Sequence, residues 1–164
     1  MKCVGRANSE NLWLSTDGGV TWEEEDTHDF TTRSMRLIGM SPDGTKIAIG
    51  WDNERVWVTT DDGLTWESAP VPQTNSPGAD EHPEKQWFDF GWSEDGSKLF
   101  AVTQQFVASS EDDGKSWRLE VDNSEGWTSF QKIAVSSDGT KFSVTDRISE
   151  WAVGAIVSSV ANFE

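Results

Sequence analysis

The amino-acid sequence predicts an all-β chain in which about four antiparallel, four-stranded sheets follow one another. Three observations predict it: two turn motifs that alternate along the chain, short apolar runs flanking each, and a spacing near 44 residues. The first motif reads Ser41-Pro42-Asp43-Gly44-Thr45-Lys46, Ser93-Glu94-Asp95-Gly96-Ser97-Lys98 and Ser136-Ser137-Asp138-Gly139-Thr140-Lys141. The second reads Ser15-Thr16-Asp17-Gly18-Gly19-Val20-Thr21-Trp22, Thr59-Thr60-Asp61-Asp62-Gly63-Leu64-Thr65-Trp66 and Ser110-Glu111-Asp112-Asp113-Gly114-Lys115-Ser116-Trp117. Asp-Gly between apolar runs marks a hairpin, because the carboxylate can accept from its own turn and glycine takes the positive φ. Helical periodicity is absent throughout.

The repeating unit is strand A, Asp-Gly turn, strand B, variable loop, strand C, second motif, strand D. Asp17 to Asp61 is 44 residues and Asp61 to Asp112 is 51; Asp43 to Asp95 is 52 and Asp95 to Asp138 is 43. The base period is therefore 43 to 44, with an insertion in the middle copy. Four strands at this period are the signature of a propeller blade. One domain is predicted over 1–164, with units at about 1–33, 34–86, 87–126 and 127–164.

The first unit begins at strand B, since Lys2-Cys3-Val4 aligns with Lys46-Ile47-Ala48. Its acidic loop, Glu23-Glu24-Glu25-Asp26 with His28 and Asp29, reads as a solvated surface, with a docking patch for a basic partner as the alternative. The insertion from Ala69 to Gln86 contains Pro70, Pro72, Pro77 and Pro83, which forbid regular structure. The fourth unit lacks the second motif. Its tail, Ala155-Ile156-Val157-Ser158-Ser159, resembles Ile133-Ala134-Val135-Ser136-Ser137. The preferred reading makes that tail a strand A that pairs with residues 2–6 and hides two edge strands. The rival reading makes it strands C and D of a worn fourth blade, with Phe163 in the tryptophan place. At 44 residues per blade the chain falls short of four full blades, so completion by oligomerisation is a further expectation.

The second motif is similar to the Asp-box, or BNR, repeat, Ser-x-Asp-x-Gly-x-Thr-Trp. Ser15, Asp17, Gly19 and Trp22 carry it first; Thr59, Asp61, Gly63 and Trp66, then Ser110, Asp112, Gly114 and Trp117, carry it again. The repeat occurs on propeller blades of sialidases, sortilin-type receptors and a photosystem II assembly factor. The resemblance implies that the box closes the hairpin between the third and fourth strands of a blade, away from the active face. It implies architecture rather than activity, and leans towards a secreted or organelle-luminal protein. The indole is expected to fold over its own turn and seal it.

Composition narrows the function. The 164 residues carry a formal charge of −16 and a sequence pI near 4.3, which repels nucleic acid and anionic lipid and favours a cationic partner. No run is long enough to insert in a membrane, and no signal peptide is visible at Met1. A lone Cys3 forms no internal disulfide and reads as a buried thiol. Ten Trp and no Tyr place the indoles at repeat positions.

Catalytic chemistry finds little to use. Sialidases need a tyrosine nucleophile and three arginines on a carboxylate; tyrosine is absent and the six Arg show no such pattern. The recurring Asp residues have turn roles, and only His28 and His82 are available as imidazole bases. No Cys/His cluster or calcium-loop pattern is present, so no catalytic residue, metal or cofactor is predicted. Surface recognition remains. Loops at Trp51-Asp52-Asn53-Glu54-Arg55, Thr103-Gln104-Gln105 and Asp122-Asn123-Ser124-Glu125-Gly126-Trp127 fall on the expected ligand side, with Trp51, Asp52, Asn53 and Arg55 as the candidate binding residues. The expected function is a non-enzymatic binding or scaffold module for a protein partner. The alternatives are a carbohydrate-binding or sialidase-like protein and a structural piece of a longer propeller.

Overall fold

The structure, a computed structural model, describes residues 3–7, 11–25, 35–51, 56–69, 87–103, 106–122, 130–149 and 152–159. Fourteen strands and no helix form four antiparallel sheets among these residues. The first sheet holds β1 (Cys3–Ala7), β2 (Asn11–Ser15) and β3 (Glu23–Glu25). The second holds β4 (Met35–Met40), β5 (Ile47–Trp51), β6 (Val56–Thr59) and β7 (Glu67–Ala69). The third holds β8 (Trp87–Trp92), β9 (Leu99–Thr103), β10 (Phe106–Ser110) and β11 (Arg118–Asp122). The fourth holds β12 (Phe130–Val135), β13 (Lys141–Ser149) and β14 (Ala152–Ser159). Strands within each sheet lie in sequence order, as hairpin-linked neighbours must.

The array is propeller-like. β4, β8 and β12, the first strands of three successive units, lie side by side. A bulge recurs in all three where each meets its partner, between Met35 and Leu37, Trp87 and Asp89, and Phe130 and Lys132. A bulge increases the local twist, and here it comes at the same place in each repeat.

Period-two alternation sends side chains to both faces of every sheet, and the facing sides of successive sheets make three cores. Leu12 packs with Ile47, Ile49 and Trp66, flanked by Val4 and Leu14, between the first and second sheets. Ala48, Val56 and Val58 meet Trp87, Leu99, Ala101 and Phe106 between the second and third. Phe100, Val102 and Val107 meet Phe130, Phe142 and Val144 between the third and fourth, with the Phe100 and Phe142 rings 5.3 Å apart. Every residue of β9 and β10 is buried because both faces of the third sheet are covered.

The preferred placement of the tail is overturned. β14 pairs along its whole length with β13, from Lys141↔Ser159 to Ser149↔Ala152, and β1 pairs with β2 alone. The likeness of 155–159 to a first strand misled, because a Val-Ser-Ser run suits any strand. A local hairpin from β13 closes with far less chain entropy than a pairing across some 150 residues. The tail is the third strand of the fourth sheet, and among the described residues no strand of the first sheet pairs with one of the fourth.

Candidate functional site

Each sheet has two ends, and chemistry separates them. Antiparallel order puts the Asp-Gly turns and the boxes at one end of the strands and the loops after β5 and β9 at the other.

At the turn end, every recurrent carboxylate is engaged by its own loop. In the first box the Asp17 carboxylate accepts from the Ser15 hydroxyl at 2.8 Å, the Val20 N–H at 3.0 Å, the Thr21 N–H at 2.9 Å and the Thr21 hydroxyl at 2.6 Å. Asp61 accepts from the Thr59 hydroxyl at 2.9 Å and from Thr65 N–H and hydroxyl at 2.8 and 2.6 Å. Asp112 repeats this with Ser110 at 2.9 Å and Ser116 at 2.8 and 2.5 Å. The leading hydroxyl is itself buried and takes the glycine N–H: Gly19 to Ser15, Gly63 to Thr59 and Gly114 to Ser110, all within 2.8 to 2.9 Å. Two residues in a row take positive φ in each box, Gly18 and Gly19, Asp62 and Gly63, Asp113 and Gly114. A side chain there is strained, and aspartate is among the few that tolerate it.

The Asp-Gly turns use the same acceptor logic. Ser41 donates to Asp43 at 2.6 Å and accepts from the Lys46 N–H at 3.0 Å, while the Thr45 N–H and hydroxyl close the carboxylate. Ser93 with Asp95 and Ser136 with Asp138 do likewise. These bonds favour the charged form. The Ser41 hydroxyl, then the Thr45 N–H and hydroxyl, hold Asp43 at about 2, and Ser93 with Ser97 and Ser136 with Thr140 hold Asp95 and Asp138 at about 2. Thr21, through its hydroxyl and its N–H, and then Ser15 hold Asp17 well below the usual carboxylate range. Thr65 lowers Asp61. Burial alone would raise Asp112, but Ser116 and Ser110 outweigh it. A general acid must hold a proton near neutral pH, and none of these six does.

The box tryptophans Trp22 and Trp117 fold back over their own turns as expected, but the depth of burial differs from box to box. Trp22 and Trp117 donate their indole N–H to the carbonyls of Gly19 and Gly114 at 3.1 and 3.2 Å. Yet Trp66 is only 6 % exposed, packed on the first sheet, while Trp22 is 41 % exposed. The turn holds the indole in place, and the deep burial of Trp66 comes from the sheet before it in sequence.

At the loop end, β5 closes on Trp51, whose backbone pairs with Met35 beside the bulge; its side chain and Asp52, Asn53 and Arg55 lie outside the described residues. So do Gln104, Gln105, 123–127, the acidic stretch 26–33 with His28, the insertion from Pro70 to Gln86, and the Cys3 side chain. Thr103 is buried, its hydroxyl accepting from the Phe106 N–H at 3.1 Å, so it shapes the hairpin. Asp122 at the end of β11 is exposed.

Sequence reasoning missed the residues that link sheets. Lys46 spans from the second sheet to the third, donating to the Gly96 carbonyl at 2.9 Å and pairing with Asp113. Asp89 accepts from the Ile133 N–H of the fourth sheet at 3.0 Å. Ser109 occupies the place that Leu14 and Val58 hold in the preceding repeats, and it donates to Glu120, which Arg118 also pairs. A lysine after every Asp-Gly turn was the visible signal for the first of these. Among the described residues no group of three or more His, Cys, Asp or Glu is arranged to hold a metal ion, and no helix is long and apolar enough to cross a membrane.

Known structures share this architecture. YCF48 bound to D1 peptide superposes with a TM-score of 0.60 at 15 % identity, covering 94 % of this chain and 45 % of that one. A GH74 enzyme of Niastella koreensis gives a TM-score of 0.61 at 18 % identity, covering 91 % and 24 %. A prolyl endopeptidase gives 0.63 at 13 %, covering 96 % and 27 %. The chain thus spans between about a quarter and a half of these structures' lengths, and at such identities the likeness is one of fold. No curated protein matches the sequence. The profile of the Sortilin-Vps10 family (sortilin, neurotensin receptor 3) matches residues 10–152, and the chain belongs to that family.

Proposed function

We propose that the chain is a non-enzymatic recognition module that presents the loop end of its sheets to a protein partner. The observation that carries this is the division between the two ends. All six repeated carboxylates are saturated by their own turns, whereas the opposite end of the sheets is where β5, β9 and β11 end, at Trp51, Thr103 and Asp122. The peptide held by YCF48 supports a peptide as the kind of ligand this architecture accommodates. The charge of −16 favours a partner segment rich in Lys and Arg. Trp51 with Asp52, Asn53 and Arg55 offers an aromatic surface, amide and charges for such a segment.

The test is capture of partners from an extract by immobilised chain, repeated with residues 51–55 or 122–127 replaced by Gly-Ser segments. Loss of the same partner from both variants, with unchanged thermal unfolding, is the expected result; capture indifferent to both replacements refutes the reading. Glycan recognition is the second reading, supported only by the fold shared with the GH74 enzyme. It requires saturable tryptophan quenching by an oligosaccharide that Trp51→Ala abolishes.

A further inference from the structure

The last strands of the first three sheets form outer edges, short in two of the sheets and interrupted in the third. β3 and β7 have three residues each and pair without a break in register, from Leu12↔Glu25 to Leu14↔Glu23 and from Val56↔Ala69 to Val58↔Glu67. β11 has five, and among the described residues it pairs with β10 alone. An edge of that length is a template for a further strand. The third sheet packs on a neighbour at each of its faces, so this edge belongs to the middle of the array.

β11 differs from the shorter edges in a second way. Val107 pairs with Val121 and Ala108 with Leu119, so Glu120 is an extra residue that no residue of β10 faces. A bulge of this kind breaks the ladder, bends the strand and increases its twist. The Glu120 side chain turns inward and is only 8 % exposed. Its carboxylate accepts from the Ser109 hydroxyl at 2.5 Å and from Nε and Nη2 of Arg118 at 3.0 and 2.6 Å. Ser109 is buried and stands where the two preceding repeats have Leu14 and Val58. Either aliphatic residue would leave the inward carboxylate without that donor. Two departures from the repeat, an inserted glutamate and a serine in an apolar place, thus meet in one cluster. A strand laid on β11 would have to match a broken ladder. It would also take the half-exposed Arg118 and its carboxylate partner further out of water, at a desolvation cost.

We infer that Glu120, clamped by Ser109 and Arg118, guards the outer edge of the third sheet against the addition of another strand. Shortness does the same for β3 and β7, which need no such cluster. The inference is independent of the partner-binding reading, because it concerns a sheet edge and not the loop end.

Deleting Glu120 together with Ser109→Val tests it, since this restores the regular register and the apolar residue of the second sheet. Sedimentation velocity should show self-association stronger than in the wild-type chain by about tenfold or more. Hydrogen exchange should show added protection in β11 and none in β3 or β7. Glu120→Val with Ser109→Val keeps the chain length and takes the place of the deletion if circular dichroism shows the latter unfolded. Gly50→Ala crowds Trp87 between the second and third sheets and leaves the edge alone, so it should sediment as the wild type does. A folded variant that sediments like the wild type, or association without protection in β11, overturns the inference. So does equal association of Gly50→Ala, which would trace the effect to a weakened fold. Unfolding of both edge variants overturns it as well, by making the cluster part of the core.

Discussion

At the scale of single residues, the box works by giving each buried polar atom an assigned partner. Thr59 is 1 % exposed and its hydroxyl is the acceptor for the Gly63 N–H. Thr59→Val keeps the shape and orphans that donor, so it should cost about 1–3 kcal/mol, read as a lower urea midpoint. The carboxylates predict a pH dependence of definite sign. Asp43, Asp95 and Asp138 lie at about 2 in the fold against an ordinary 3.8. A depressed folded value stabilises above the unfolded value and is lost as pH falls through the folded one. Stability should therefore decline as pH falls from 3.8 towards about 2. Asp43→Asn should flatten that decline in urea titrations at stepped pH, and a stability that rises on acidification would contradict the assignment.

At the scale of elements, the side chains that matter most lie between sheets. Trp66→Ala removes an indole from the core of the first and second sheets and should cost about 3–5 kcal/mol. Trp22→Ala, at the same repeat position but 41 % exposed, should cost clearly less; equal losses would mean the turn alone anchors the ring. Gly50→Ala drives a methyl towards Trp87 and should destabilise by about 1–3 kcal/mol, measured by thermal unfolding. Which sheet covers which indole is decided by neighbours about 44 residues away, and so is not written in any single repeat.

For the whole molecule, sheets stacked in a row are stabilised by nearest-neighbour contacts. The third sheet has neighbours on both sides and every residue of β9 and β10 is buried. Among the described residues the first and fourth sheets each pack on one neighbouring sheet. Hydrogen exchange should therefore be slowest in β9 and β10 and fastest in β1 to β3. Protection that is uniform along the chain would contradict an open array.

The order of elements and the propeller-like class were legible because both are local: a hydroxyl, a carboxylate and a glycine within eight residues suffice to shape a turn. Period-two runs between such turns can only be strands. The partner of β14 was not legible, since several strands share its pattern and chain entropy chose the nearest. Nor were the Lys46–Asp113 bridge or the Ser109–Glu120–Arg118 cluster, which join residues that only the stacking of sheets brings together or whose burial depends on it. Corners and strands follow from residues close in the chain, whereas which faces are buried follows from how the sheets stack, because burial belongs to pairs of sheets and not to one.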